Sequence, residues 1–174
     1  MTDHPQPVPP PPAALILTTP EHLLAYGFGA GLAPRAPGTF GTLVGVPFWF
    51  ALSWLSPSPV YYLMGCALLF VLGCWVCGES ARLLGLHDAP GIVFDEIVGY
   101  LITCLPLCVL SPDRSVWPWL IVAFLLFRFF DILKPWPIRW FDREVDGGLG
   151  IMLDDAVAAV FAAVCLQVLI HFSS

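Results

Sequence analysis

Two pairs of adjacent acidic residues are the strongest chemical signal in the sequence, because each pair stands directly before a long apolar run. One pair is Asp95 and Glu96, and the other is Asp154 and Asp155. Capping of a helix N-terminus accounts for one acid at each place but less well for two. Carboxylates held close together repel each other, and a divalent cation such as Mg²⁺, which prefers oxygen ligands, offsets that repulsion. The two pairs therefore indicate a metal site at the ends of two apolar helices.

A third charged group combines both signs of charge on one helix. Arg128, Asp131 and Lys134 recur every three residues, which places them on one helical face. Pro135 and Pro137 end that helix near the membrane boundary. The group fits a salt-bridged helix end whose basic side chains reach toward water. It also fits a carboxylate for a metal ion beside two cations for phosphate oxygens, and the two interpretations are compatible.

A glycine-rich segment, residues 27–42, has the composition of an anion-binding loop. Its sequence is GFGAGLAPRAPGTFGT. Glycines let backbone N–H groups approach an anion, and an arginine binds a phosphate bidentately. We therefore expect Arg35, Gly38 and Thr39 to bind phosphate. The alternative is a tight turn leading into a membrane helix. The segment lacks the GK[ST] of a nucleotide-binding P-loop, and no strand precedes it as a dinucleotide fingerprint requires.

Together these segments indicate a Mg²⁺ site surrounded by basic and glycine-rich elements. Such an ion bridges phosphate oxygens and lowers the pKa of a bound water, so the expected chemistry is phosphoryl transfer on a phosphate carried by a lipid. The predicted metal ligands are Asp95, Glu96, Asp131, Asp154 and Asp155.

The composition indicates that membrane helices position these residues. Hydrophobic residues make up 58% of the chain and charged residues 11%, whereas soluble domains carry about 25% charged residues. The net charge of −6 and the absence of a basic stripe exclude a nucleic-acid partner. The six cysteines lie inside apolar runs, where we expect them to pack as small hydrophobes.

Five apolar segments predict an all-α integral membrane bundle of four to five helices. A full crossing needs about 20 apolar residues, and only the second and the last segment approach that length. The others are short, so they either extend at their ends or lie half-buried in a compact bundle. The segments are Thr42–Leu55, Val60–Cys77, Ile97–Leu110, Val116–Phe127 and Ala156–Phe172.

If all five segments cross the membrane, the three long connections fall on one side. These are residues 27–41, 79–96 and 131–155, and they carry most of the charged residues of the chain. The same side holds nearly all of the lysines and arginines. The positive-inside rule then predicts a site that faces the cytoplasm from the bacterial inner membrane.

The N-terminal residues differ from the rest of the chain. Residues 1–18 are rich in proline near their start and are expected to be a disordered tail. The prolines also exclude a secretory signal, because they break its apolar region. Thr19 and Pro20 are typical of a helix start, and a short helix is expected to run to about Gly27. Residues 19–174 then form the membrane domain.

Read together, four pieces of the sequence resemble the phosphatidylglycerophosphatase A family of bacterial lipid phosphatases. The pieces are GFGAGLAPRAPGTFGTL, HDAPGIVFDEIVGY, FRFFDILKPWPIRWFDR and GGLGIMLDDAVA. They occur in the family's order and cover Gly27 to the C-terminus. Ala159 departs from the pattern, because a glycine is expected there.

The resemblance implies Mg²⁺-dependent hydrolysis of phosphatidylglycerophosphate to phosphatidylglycerol and inorganic phosphate by an all-helical inner-membrane enzyme. No Cys-x₅-Arg or DxDGT-like nucleophile is present, so we expect metal-activated water to attack phosphorus without a phospho-enzyme. The family's acidic motif positions, implied to be catalytic, fall on Asp88, Asp95, Glu96, Asp131, Asp154 and Asp155. Its basic motif positions fall on Arg35, Arg128 and Lys134.

Three other membrane functions fit the sequence less well. A CDP-alcohol transferase needs a DGxxAR…GxxxDxxxD series, and a type-2 phosphatidic acid phosphatase needs an SGH motif; both are absent. A non-enzymatic channel or carrier should have acids deep within its spans. Here nearly all acids lie at segment ends, which favours a catalytic site at the membrane surface.

Overall fold

Helices make up the fold of the protein, as seen in a computed structural model. The structure describes residues 11–56, 58–86, 89–110 and 115–173, apart from the side chains of residues 141–143, and contains no strand within these ranges. The predicted all-α class is confirmed. The helices are α1 (Ala13–Thr18), α2 (Pro20–Ala25), α3 (Pro37–Leu55), α4 (Pro59–Leu84), α5 (Phe94–Thr103), α6 (Trp117–Leu133), α7 (Ile138–Glu144) and α8 (Gly147–Phe172), with 3₁₀ helices at Gly27–Leu32 and Leu105–Val109.

Three of the described helices are long and apolar enough to cross a membrane, namely α3, α4 and α8. Helix α6 has 17 residues, close to the lower limit for a full crossing. The predicted segment Ile97–Leu110 is not one long helix. It is divided between the ten residues of α5 and a 3₁₀ helix, because Pro106 has no backbone N–H to continue the α-helical pattern.

Helix α5 is the buried centre of the bundle. Ile97, Tyr100 and Leu101 are at most 1% exposed. The Tyr100 hydroxyl donates to the carbonyl of Leu120 in α6, 3.1 Å away. The Tyr62 hydroxyl of α4 donates to the carbonyl of Leu101, 2.8 Å away. These bonds satisfy buried polar groups and fix α5 against both neighbouring helices.

Neighbouring helices run so that five helix ends meet at one end of the bundle. Gly78 of α4 lies beside Gly148 of α8, where a Cβ on Gly78 would stand 3.1 Å from the Gly148 Cα. Gly73 lies beside Met152, so α4 and α8 are antiparallel. Gly99 of α5 lies against the carbonyl oxygen of Asp155, and the Thr103 hydroxyl one turn later donates to the carbonyl of Ala159, so α5 and α8 are parallel. The starts of α3, α5 and α8 therefore meet the ends of α4 and α6, and the three charged connections share that end.

A helix forms within the segment predicted to be a disordered tail, whose residues 1–10 lie outside the described residues. Residues 13–18 form α1, and Ile16 is fully buried. The predicted disordered tail over residues 1–18 is therefore wrong for residues 13–18, because α1 packs against α2 and buries an apolar side chain. The predicted helix start at Pro20 is confirmed by α2. All six cysteines are free thiols.

Candidate active site

A cavity of about 280 Å³ opens at the end of the bundle where the helix ends meet. It is strongly acidic, with one lysine in its wall. The structure therefore brings together all five carboxylates that the sequence predicted as metal ligands. The charged residues that line the cavity are Asp95, Glu96, Asp131, Lys134, Asp154 and Asp155.

Three of these carboxylates form a group that is close enough to share one cation. Asp95 and Glu96 lie in the first turn of α5, and Asp155 lies in α8. One oxygen from each lies within 4.8 Å of the other two. The parallel packing of α5 against α8 produces this arrangement, because it places the two acidic pairs at the same level of the bundle.

The same three residues carry buried oxygens that have no partner. Asp95 Oδ1, Glu96 Oε2 and Asp155 Oδ2 accept no hydrogen bond within the described part of the chain. A buried carboxylate oxygen without a partner is costly, by about 1–3 kcal/mol or more, and a divalent cation would offset that cost. The donor set is all oxygen, as Mg²⁺ requires. The residues present therefore fit a hard divalent cation.

The pKa values of the two acids in α5 show the same crowding. Burial raises the pKa of Asp95 well above its ordinary value, and the neighbouring Glu96 carboxylate raises it further. Burial, together with the Asp155 carboxylate, raises the pKa of Glu96 to about 8. Both shifts mean that this cluster disfavours negative charge when no cation balances it.

The other two predicted ligands are bound to cations of the chain itself. Asp131 Oδ2 accepts a hydrogen bond from Arg128 Nη1, one turn earlier in α6. Asp154 Oδ2 accepts a hydrogen bond of 2.5 Å from Lys134 Nζ. Asp131 and Asp154 are not members of the group of three. The predicted shared helical face of Arg128 and Asp131 is confirmed by this ion pair.

Arg128 also connects the ion pair to the group of three. Its Nη1 lies 3.7 Å from Glu96 Oε1, and its side chain is 15% exposed. Gly38, in the first turn of α3, lies against both groups. A Cβ at Gly38 would overlap Glu96 Oε1 and stand 2.9 Å from Arg128 Nη1. Gly38 is thus needed for the close approach of α3 to the acidic cluster.

The glycine-rich segment supports the site by packing. Gly31 lies against the backbone of Gly91, where a Cβ would overlap the Gly91 carbonyl oxygen. Gly27 has a φ of +54° and packs on Val93. The Val93 N–H donates to the Ala25 carbonyl, 2.8 Å away. These contacts hold the segment that leads into α5, which accounts for glycines that the sequence analysis assigned to an anion loop.

The predicted phosphate-binding residues do not all line the acidic cavity. Lys134 lies in the cavity wall. Arg35 is exposed, and the Thr39 N–H donates to the Ala36 carbonyl. Phosphate binding by Arg35, Gly38, Thr39, Arg128 and Lys134 stays a prediction. Asp88, which the family resemblance placed in the site, lies outside the described residues.

The apolar and glycine part of the cavity wall was not predicted from the sequence. Gly147, Gly150 and Ile151 at the start of α8 line it. A Cβ at Gly150 would overlap the Val145 carbonyl oxygen, so α8 begins in close contact with the preceding loop. The three glycines at positions 147, 148 and 150 were the signal for this close packing.

Comparison with known proteins relates the chain to phosphatidylglycerophosphatase A, both by a family model and by individual sequences. The chain matches the family model of phosphatidylglycerophosphatase A over residues 23–170. It is 44% identical to phosphatidylglycerophosphatase A of Escherichia coli, over 90% of this chain and 87% of that protein. It is 46% identical to phosphatidylglycerophosphatase A of Haemophilus influenzae, over 85% of this chain and 87% of that protein. A Bacteroides thetaiotaomicron protein named provisionally as a phosphatidylinositol-3-phosphatase is 36% identical, over 84% of this chain and 91% of that protein. No solved structure matches the chain.

Proposed function

The chain belongs to the phosphatidylglycerophosphatase A family, and from this premise we propose that it hydrolyses phosphatidylglycerophosphate to phosphatidylglycerol and inorganic phosphate with the help of Mg²⁺. The membership makes the chain a lipid phosphatase. The substrate and the cation are parts of the proposal. The observation that supports them best is the group formed by Asp95, Glu96 and Asp155. Each offers one oxygen within 4.8 Å of the others, and each also carries a buried oxygen without a partner among the described residues.

Asp95, Glu96 and Asp155 are the residues that would hold the cation. When bound there, Mg²⁺ supplies positive charge to phosphate oxygens and acidity to a coordinated water. The positive charge would also offset the repulsion among the three carboxylates. This explains why a chain with few charges places so many acids at one end of its bundle.

The chain's own side chains supply the remaining functions. Lys134 presents a cation in the cavity wall, held in place by Asp154, and is suited to bind oxygens of the reacting phosphate. Arg128 holds Asp131 and lies close to Glu96; its buried Nε–H donates to no acceptor within the described residues. We assign Arg128 to positioning these acids and to providing positive charge near the phosphate.

Water is the proposed nucleophile. The described residues that line the cavity include no serine, threonine, cysteine or histidine. A cavity carboxylate is then available to accept a proton from the attacking water, and the oxygen of the glycerol headgroup departs with its bonding electrons and takes up a proton. The bond that forms joins water oxygen to phosphorus, and the bond that breaks joins phosphorus to the headgroup oxygen.

The membrane arrangement is proposed from the same geometry. The acidic cavity lies at the end of the bundle where α3 and α8 begin and α4 ends, so it lies near the membrane surface. Arg35, Arg82 and Arg139 belong to connections or helix ends at that side. We propose that this end faces the cytoplasm from the bacterial inner membrane, following the positive-inside rule.

The experiment that tests the function measures phosphate release by the purified protein in detergent micelles. The substrates are phosphatidylglycerophosphate, phosphatidic acid and phosphatidylinositol 3-phosphate, each with Mg²⁺ or with a chelator. We expect release from phosphatidylglycerophosphate that depends on Mg²⁺ and is lost in Asp155→Asn. Glu79→Gln, which lies outside the cavity, is the matched control. Release from phosphatidylinositol 3-phosphate without release from phosphatidylglycerophosphate would contradict the proposal.

Orientation is tested by cysteine labelling. Pro90 lies in the connection before α5 and is exposed. A cysteine at position 90, in a variant whose native cysteines are replaced, should react with an impermeant reagent only after the cytoplasmic side is opened. Labelling from the periplasm of intact cells would overturn the proposed orientation.

A further inference from the structure

A second cavity adjoins the acidic one and shares a residue with it. This interfacial cavity has a volume of about 400 Å³ and is lined by residues between Leu133 and Glu144, among them Trp136, Arg139 and Trp140. Lys134 lines both cavities. Lys134 therefore lies at the junction of the two cavities.

The aromatic lining of the interfacial cavity indicates a position at the membrane–water boundary. Trp136 is 83% exposed and Trp140 is 51% exposed. Large exposed indole rings are typical of the headgroup level of a bilayer, where one part of the ring is apolar and the N–H is polar. Leu133, which also lines the cavity, is exposed too. The cavity therefore combines an apolar wall suited to lipid with access to water.

The charges of the interfacial cavity favour an anion of low charge. The charged residues of its described lining are Arg139, Glu144 and Lys134, and the Lys134 ammonium group is bound by Asp154. Arg139 is therefore the described cation of this cavity that Asp154 does not bind, and one guanidinium suits a phosphodiester, since that group carries a single negative charge. An exposed guanidinium binds the two free oxygens of such a group bidentately. The acidic cavity differs, because its carboxylates need a divalent cation before they can take a doubly charged monoester.

We propose that the interfacial cavity binds the phosphodiester of the lipid substrate while the terminal monoester occupies the acidic cavity. This inference rests on the proposed function and deepens it, because it names a specificity-determining residue, Arg139. The substrate class is a lipid that carries a phosphodiester and a phosphate monoester on one headgroup. Phosphatidic acid, which has only the monoester, would leave Arg139 unoccupied and would be hydrolysed less efficiently.

The test compares kcat/KM of wild type and Arg139→Gln on phosphatidylglycerophosphate and on phosphatidic acid. Loss of one charged hydrogen-bonding group should lower kcat/KM for phosphatidylglycerophosphate roughly tenfold and leave that for phosphatidic acid within about twofold. Arg82→Gln is the matched control, because Arg82 pairs with Glu79 and lines neither cavity. Equal effects of Arg139→Gln on both lipids, or no effect on either, would overturn the proposal.

A binding measurement separates this inference from the proposed function. Calorimetry with the deacylated headgroup glycerophosphoglycerol, in the presence of a chelator, reports on the phosphodiester site without turnover. We expect Arg139→Gln to weaken binding at least about fivefold relative to wild type and to Arg82→Gln. Equal binding by all three proteins would refute the subsite. If the wild type hydrolysed no lipid but bound the headgroup more tightly than Arg139→Gln, the enzymatic function would be refuted. The phosphodiester subsite would still be supported.

Discussion

The Lys134 ammonium group donates a hydrogen bond of 2.5 Å to the carboxylate of Asp154, and this pair joins the end of α6 to the first half of α8. Lys134 adopts the left-handed conformation, with a φ of 40°, which is unusual for a residue other than glycine. This conformation ends α6 immediately before Pro135. The bond places a cation in the wall of an otherwise acidic cavity, at its junction with the interfacial cavity.

Replacing Lys134 by methionine should nearly abolish phosphatase activity. The variant keeps the length of the side chain but removes the charge that faces the phosphate. Removal of one such electrostatic contact in an active site lowers kcat by roughly 10²–10³-fold. Initial rates of phosphate release from phosphatidylglycerophosphate give the comparison, and activity within threefold of wild type would show that Lys134 does not bind the reacting group.

The double variant Lys134→Met with Asp154→Asn distinguishes catalysis from structure. Lys134→Met alone leaves the Asp154 carboxylate buried without its cation, which should lower the thermal unfolding midpoint. The neutral amide of the double variant should restore that midpoint without restoring activity. If activity returned together with the midpoint, the lysine would serve only to neutralise Asp154.

Mg²⁺ should stabilise the wild-type protein through the group of three carboxylates. A ligand present at 100 times its Kd stabilises by about 2.7 kcal/mol, which corresponds to a rise of roughly 5–10 °C in the unfolding midpoint for a chain of this size. Asp155→Asn and Asp95→Asn should lose most of this rise, whereas Glu79→Gln should keep it. Unfolding followed by circular dichroism in detergent, with Mg²⁺ or chelator, measures the shift independently of activity. An identical shift in Asp155→Asn would place the cation elsewhere.

The position of the site could be predicted from the sequence because charges are costly in a membrane. Asp95 and Glu96 stand at the start of one apolar run, and Asp154 and Asp155 at the start of another. Two such pairs must come together if neighbouring helices alternate in direction. The structure brings all four residues, with Asp131, to one cavity.

Which acids pair with basic side chains, and which remain available to a metal ion, could not be predicted in the same way. Spacing places Arg128, Asp131 and Lys134 on one face, but Lys134 reaches across to Asp154 because a left-handed residue ends the helix. That conformation depends on how α6 packs on α8, which no local pattern contains. The division of the apolar run Ile97–Leu110 into α5 and a 3₁₀ helix was not predicted either, because an apolar run indicates burial without fixing helix length.

Gly38→Ala should lower activity by tenfold or more while the protein still folds. A Cβ at this position would overlap Glu96 Oε1 and crowd Arg128, so the Glu96 carboxylate must leave its present position in the group of three. Gly65→Ala is the matched control, because its Cβ meets only the flexible end of Leu52, far from the cavity. The kcat for phosphate release and the Mg²⁺-dependent rise in the unfolding midpoint should both fall in Gly38→Ala alone. Equal activity of the two variants would show that the site tolerates a displaced Glu96.

Hydrolysis should proceed with inversion of configuration at phosphorus. Direct attack by water is a single in-line displacement, whereas a phospho-enzyme requires two displacements and retains the configuration. The described cavity wall offers no hydroxyl, thiol or imidazole side chain, and Asp131 and Asp154 are each bound by a cation that lowers their nucleophilicity. The measurement uses phosphatidylglycerophosphate made chiral at the terminal phosphorus with sulfur and oxygen isotopes, turned over in isotopically labelled water. Retention of configuration would require a covalent phospho-enzyme. Asp95, Glu96 and Asp155 would then be the first residues to examine for a bound phosphoryl group.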